Sequence, residues 1–275
     1  MPITQLENLC TDEAVARAAR LAVEGALDNT FSIDPIVGPE LSRSFSFVNS
    51  VIQRHGMLIQ RTLADTLAAS GCFEVMSETP IAITSTAADL LASKNSDRDL
   101  ARIRLESDTK AIRMVNIDLI VVDLETGWAG AYDVKRGNGE TSWRARRPIE
   151  HDLRAVRLVL ASHLKKFGHR VEDISSGIID YYGSSGFSRD IKVTRDQLDE
   201  HFGVPVAGRI DAMTTALKSS MHERLREILE PALRSLPRAR TPERMRAAPP
   251  VDLADVLRAP PVGPGQRPRT TTAAI

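Results

Sequence analysis

Asp118, Asp133 and Lys135 are the residues of this chain best placed to do chemistry together. They stand on two apolar stretches, Asn116-Ile-Asp-Leu-Ile-Val-Val122 and Ala129-Gly-Ala-Tyr-Asp-Val-Lys135, with the turn Leu124-Glu-Thr-Gly127 between them. Such a pattern predicts a β-hairpin. Side chains alternate along a strand, so Asp133 and Lys135 share a face. An even-numbered loop around Glu125-Thr126 sets position 118 opposite 133 and adds Asp118 to that face; an odd loop turns it away. Two carboxylates facing each other across a ladder repel, and a cation between them removes the repulsion. Hard oxygen ligands beside an ammonium are what a Mg²⁺ site for phosphodiester hydrolysis requires.

Acid-x-Lys triplets are common at solvated strand edges, and two more occur here. Asp108-Thr-Lys110 lies in a polar stretch with no acid-bearing strand before it. Asp190-Ile-Lys192 follows Asp180 and the loop Gly183-Ser-Ser-Gly186, which makes it the rival site. A run of arginines follows Lys135: Arg136, Arg144, Arg146, Arg147, Arg154 and Arg157. Guanidinium forks match phosphate oxygens, so this run is the expected DNA-binding surface. Its ordinary alternative is a solvated helix face paired with Glu150 and Asp152.

The elements that must position these groups are legible in outline. Thr11 caps a helix from Asp12 to about Ala26, and Asp34-Pro-Ile-Val-Gly-Pro39 breaks the chain. A long helix from about 41 to 69 carries Phe45, Val48, Ile52, Ile59, Leu63 and Leu67 at helical spacing and stops at Gly71. Short strands are expected at 73–76 and 81–83, and a helix from Pro148 to Phe167. A strand is expected at 177–182. Thr194 and Gln197 have capping-box spacing for a helix ending at Gly203, and a last helix runs from about 210 to 233. Beyond Pro237 the chain is rich in proline and arginine and reads as a disordered tail. The resulting division is 1–40, an N-terminal helix and linker; 41–192, an α/β core; 193–236, a helical segment; and 237–275, the tail.

Composition narrows the classes of function. Lys plus Arg and Asp plus Glu are both 36, so any pull on nucleic acid comes from local clustering. Aromatics are 4%, too few for stacking platforms of the single-strand-binding kind. Cys10 and Cys72 offer no disulfide framework and no metal spacing. No secretory pattern follows Met1, and no apolar run nears the ~20 residues of a membrane span. A soluble, cytoplasmic protein is therefore expected. A dinucleotide fingerprint fails because Ser142 stands at the third glycine after Gly137-Asn-Gly139. The histidines lack zinc spacing, and Gly183-Ser-Ser-Gly186 is no nucleophile elbow. His55, on the seam of its helix's apolar face, reads as a satisfied core histidine.

In order and in motif, residues 41 to about 182 resemble the PD-(D/E)xK nuclease superfamily. Asp118 resembles that family's first acid and Asp133 with Lys135 its acid-x-Lys, while Ile117 replaces the name-giving proline. Gln60 stands where the Gly-x-x-x-Glu of the preceding helix has its glutamate. The resemblance implies a restriction-endonuclease-like core, a mixed central sheet flanked by helices. It also implies a Mg²⁺-dependent DNA nuclease, restriction-type and endonucleolytic, that leaves a 5′-phosphate. Asp118, Asp133 and the carbonyl of Val134 would be metal ligands, Lys135 would act on the water and the phosphate, and Gln60 would hold a metal-bound water. DNA is the implied partner, and a homodimer is compatible with it. A second reading comes from Leu198-Asp-Glu-His-Phe-Gly203-Val-Pro205 and Ile210, which resemble a helix-turn-helix within 194–215. On that reading the protein binds DNA or another partner without catalysis, although Asp199 stands where a small residue is usual.

Overall fold

Residues 8–29, 31–93, 95–100, 102–106 and 110–236 are described by the computed structural model. The tail 237–275 and most of the Asp108-Thr-Lys110 triplet lie outside them. The order is α1 (Asp12–Leu27), α2 (Gly38–Ala69), β1 (Phe73–Thr84), α3 (Ser85–Ala92), α4 (Asp97–Leu100), β2 (Ala111–Asp123), β3 (Trp128–Lys135), α5 (Trp143–Lys165), β4 (Asp173–Asp180), β5 (Lys192–Thr194), α6 (Arg195–Phe202) and α7 (Ala207–Ser235). The strands form one mixed sheet in the order β1-β2-β3-β4-β5. β1, β2 and β3 are an antiparallel meander, and β4 and β5 continue it in parallel. The compact unit that contains the sheet ends at Leu233. No described helix is long and apolar enough to cross a membrane.

Each face of the sheet carries its own apolar cluster. Ile81, Ile117, Ile120, Ala131 and Ile178 pack with α3 and α5. Leu119, Val121, Tyr132 and Ile179 pack with α1, α2, α6 and α7. The segments 1–40 and 193–236 therefore contribute to one apolar cluster with α2. Strict alternation would put Ile117 and Leu119 on the same face, yet they belong to opposite clusters. β2 turns over at Asp118. Its neighbour in register on β1 is Glu78, a non-glycine residue with φ +48°, and the pairing of the two strands skips both residues. Positive φ costs a side chain free energy, so this is a local distortion of the sheet beside the candidate site.

Four expectations change. β1 is a single strand where two short ones were expected; Pro80 is tolerated because β1 is an edge strand that needs no donor on its outer side. β4 begins at Asp173 and ends at Asp180, because its polar first half finds β3 as a parallel partner. α5 begins at Trp143, so Pro148 is internal. Proline there removes one hydrogen bond, to the carbonyl of Arg144, while Thr141 N–H to the Ser185 carbonyl (2.9 Å) anchors the start of the helix. On α2, Phe45 and Ile52 are exposed, and the inward face is Ser42, Ser44, Phe47, Ser50, Val51 and His55. Small side chains there admit the alanines of α1, and the hydroxyls stay bonded, Ser44 Oγ donating to the carbonyls of Glu40 and Ile228.

Candidate active site

The hairpin loop has four residues between the end of β2 and the start of β3, an even number. Pairing runs from Val122 with Ala129 to Leu119 with Tyr132, and one further step sets Asp118 opposite Asp133. Both side chains are half-buried, and they hydrogen-bond to each other. Burial, then that hydrogen bond and the charge of Asp133, push the Asp118 carboxyl up to about 7. Its other anchor is structural: Asp118 Oδ2 accepts from the Val134 N–H at 2.8 Å, just past the paired end of the ladder. Lys135 Nζ donates to Asp133 Oδ1 at 2.8 Å. Lysine, the two acids and a backbone N–H thus form one chain of hydrogen bonds at the end of the hairpin.

Gln60 reaches this site from α2. Its Nε2 donates to the carbonyl oxygen of Asp118 at 2.9 Å, where the pairing of β1 with β2 skips a residue. The amide fixes the backbone of the first acid, and only its Oε1 remains for other contacts. Among the described residues no three His, Cys, Asp or Glu side chains converge on a metal-sized space. A cation here would draw on Asp118, Asp133, the Val134 carbonyl and oxygens of water and substrate, a donor set that suits Mg²⁺, which keeps several waters. Two half-buried carboxyls side by side fit such an ion, because its charge would offset theirs.

The six arginines have different partners. Arg136 follows the site directly, and its Nε donates to His55 Nδ1 at 3.0 Å. Arg144 is exposed, and the guanidinium of Arg147 lies 4.7 Å from the ring centroid of Trp143. Arg146 donates to the Gly186 carbonyl and to Glu140. Arg157 Nε donates to the Ile174 carbonyl at 3.2 Å. Ile174 is four residues before Ile178, the partner of Asp133, or about 13 Å along the strand. Arg154 lines a cavity of about 290 Å³ with Arg157, Ser175 and Asp190. The arginines up to 147 lie in or beside the segment that follows β3, whereas Arg154 and Arg157 serve another part of the sheet.

In the rival triplet, Lys192 Nζ lies 3.6 Å from Asp180 Oδ2 and donates to the Gly183 carbonyl, while Asp190 is exposed. Asp180 is fully buried and accepts from Ser185 N–H (3.1 Å) and Ser185 Oγ (2.5 Å). It holds the loop after β4, which bonds the loop after β3 through Ser184 N–H to the Gly137 carbonyl and Thr141 N–H to the Ser185 carbonyl, both 2.9 Å. Gly137 has φ +71°, and a Cβ there would fall 1.6 Å from Asp180 Oδ1. Gly137→Ala is therefore expected to cost about 2–4 kcal/mol, from strain plus a displaced buried carboxylate. Urea unfolding of the variant measures it; a loss below about 0.5 kcal/mol would contradict the packing described.

Residue pattern alone missed Glu78 and the contact between His55 and Arg136. Nothing in Glu-Thr-Pro80 signals positive φ, and residues 55 and 136 meet only through the packing of α2 on the sheet. In the helix-turn-helix-like segment, Asp199 Oδ1 accepts from Val206 N–H and Ala207 N–H, both at 2.8 Å, and so caps α7. That is a structural use for an acid where a small residue was expected. Arg195 is bound to Asp211, and Arg209 to Asp12. No protein-family model, curated protein or solved structure was found to match this chain.

Proposed function

We propose that the protein is a Mg²⁺-dependent nuclease that hydrolyses phosphodiester bonds in DNA and leaves a 5′-phosphate. The observation that carries the reading is the half-buried pair Asp118 and Asp133 facing each other across the hairpin, with Lys135 on Asp133 and Gln60 on the backbone of Asp118. The order α2-β1-β2-β3-α5-β4, with α3 and α4 inserted after β1, β1 to β3 antiparallel and β4 parallel to β3, is compatible with a restriction-endonuclease-like core. Asp118, Asp133 and the Val134 carbonyl would hold the ion, which supplies Lewis-acid stabilisation and an acidified water. Lys135 donates to the oxygen on which charge develops and orients the attacking water. Gln60 keeps the Asp118 backbone in place. The helix-turn-helix reading has less support, because Arg195 and Arg209 are engaged within the protein. Incubation of supercoiled plasmid with Mg²⁺ or with EDTA tests the proposal. Nicked or linear product is expected only with the ion, and intact plasmid under both conditions sinks the nuclease.

The two groups of arginines predict different outcomes on duplex DNA. Neutralising Arg144 or Arg147 should flatten the salt dependence of log K by about 0.9 each, one phosphate contact apiece. Arg157→Ala should leave that slope unchanged and cost about 1 kcal/mol of stability, because its Nε bonds backbone. Salt titrations of binding in EDTA, paired with thermal melts, separate the two cases. A shallower slope for Arg157→Ala would return that residue to the DNA surface.

A further inference from the structure

We propose that Arg136, held by His55 and Tyr182, is a phosphate-binding fork that seats a phosphate flanking the one cleaved. The identity of the bound strand rests on the nuclease reading above; the affinity for phosphate does not. Three neighbouring basic groups have partners of the usual kind. Lys135 is on Asp133, Lys192 beside Asp180, and Arg146 on Glu140 and a carbonyl. Arg136 is half-buried and, among the described residues, pairs with no carboxylate. Instead it gives Nε–H to a histidine ring.

A guanidinium has only donors, so His55 Nδ1 must accept. The ring proton then sits on Nε2 and is donated to Thr214 Oγ1 of α7, 2.9 Å away. Burial first, then the charge of Arg136, hold the imidazole down to about 4, so the ring is neutral. It orients the arginine without cancelling its charge. Two further restraints act. The guanidinium carbon lies 5.5 Å from the ring centroid of Tyr182, and the Tyr182 N–H donates to the Arg136 carbonyl at 3.1 Å. Backbone, Nε and the plane of the fork are therefore set, while both Nη groups remain without a partner among the described residues.

A fixed fork with an uncompensated charge matches two oxygens of a phosphate. Its distance from the chemistry is suitable. His55 and Gln60 are five residues apart on α2, about 7.5 Å along the axis, and Gln60 touches Asp118. That is comparable to the spacing of neighbouring phosphates along one strand. Arg136 acts on the substrate, and His55 is a positioning residue that acts through Arg136.

Pyrophosphate is the probe, titrated calorimetrically into the full-length protein in EDTA. The wild type should bind it. Arg136→Ala should bind roughly ten- to a hundred-fold more weakly, as expected for a lost charge-assisted fork. Arg136→Lys should not restore affinity, because an ammonium cannot make the fork. Arg224→Ala removes the same charge where it already faces Glu227, 3.4 Å away, and should have no effect. His55→Ala should weaken binding several-fold although no charge is removed, and His55→Asn, whose carbonyl can accept in place of Nδ1, should recover it. A merely structural histidine would lower the melting temperature and leave the affinity of the folded protein unchanged. If His55→Ala does not fold, Tyr182→Leu tests the same restraint at a partly exposed ring, and there an unchanged affinity overturns the fork. A wild type that does not bind pyrophosphate, or Arg136→Ala that binds it equally well, also overturns it. Plasmid cleavage is scored separately. Pyrophosphate bound through Arg136 without Mg²⁺-dependent cleavage would keep the fork and remove the nuclease, and the converse would remove the fork alone.

Discussion

Lys135→Ala is expected to slow Mg²⁺-dependent plasmid cleavage by about 10²- to 10⁴-fold, the range for a group that acts on charge and protons in the transition state. DNA affinity in EDTA should change little, because Nζ is held on Asp133 Oδ1 and makes its contribution at the reacting phosphate. The lysine also offsets the two acids, so the variant should be slightly less stable without metal, most visibly above neutral pH where the Asp118 carboxyl ionises. Asp133→Asn should be equally inactive and should also lose the stabilisation that Mg²⁺ gives the wild type. Single-turnover cleavage beside an anisotropy titration separates rate from affinity. A Lys135→Ala protein that cuts at the wild-type rate would exclude this mechanism.

Asp118→Asn should abolish cleavage and yet stabilise the metal-free protein at alkaline pH. The sign follows from the raised carboxyl of Asp118, about 7 in the fold against 3.8 for the ordinary group. Between those values the folded chain keeps a proton that the unfolded chain has released, so stability falls as pH rises through the window. Near pH 4 wild type and variant should melt alike. Near pH 8 the variant should be more stable by about 2 kcal/mol, less than a full three-unit shift implies, because the site is partly solvated and Lys135 shares the load. Asparagine keeps an oxygen for the Val134 N–H, so the anchor at 2.8 Å survives. Mg²⁺ should reverse the order, stabilising the wild type increasingly as pH rises and the variant hardly at all. Melts across this range, with EDTA or with Mg²⁺, decide the matter. A variant less stable than wild type at pH 8 in EDTA would mean that Asp118 is a structural cap whose charge costs nothing. Such a trade of stability for a site is common where acids are forced together.

How much was legible can be judged element by element. The hairpin was, since two apolar stretches flank a Gly-containing turn, and loop parity fixes which face each acid takes. α1, with its Thr11 cap, and α6, with its capping box and Gly203 at φ +68°, were legible because caps are local hydrogen-bond problems solved by neighbours in sequence. The inward face of α2 was not. Its serines are buried because α1 and α7 cross close to it, and no property of Ser44 reports that the carbonyl of Ile228 will be there. The start of α5 was misplaced for a similar reason: a proline reads as a helix start, but Thr141 tied to Ser185 begins the helix sooner.

The same division runs through the site. By itself the sequence determined an α/β chain with two acids and a lysine on one hairpin, because alternation along a strand and the parity of a turn are local geometry. The arginines were likewise evident as a cluster along the chain. Only the tertiary structure decided what these groups do to one another. It turned β2 over at Asp118 beside the strained Glu78, laid Gln60 on the Asp118 carbonyl, and half-buried the acid pair, which raises the Asp118 carboxyl. It also divided the arginines, sending Arg157 to the backbone of β4 and bringing Arg136 under a neutral histidine from a helix some eighty residues away in sequence. Burial, pKa and the pairing of charges depend on what surrounds a residue in space, and a neighbour so distant in the chain leaves no local trace.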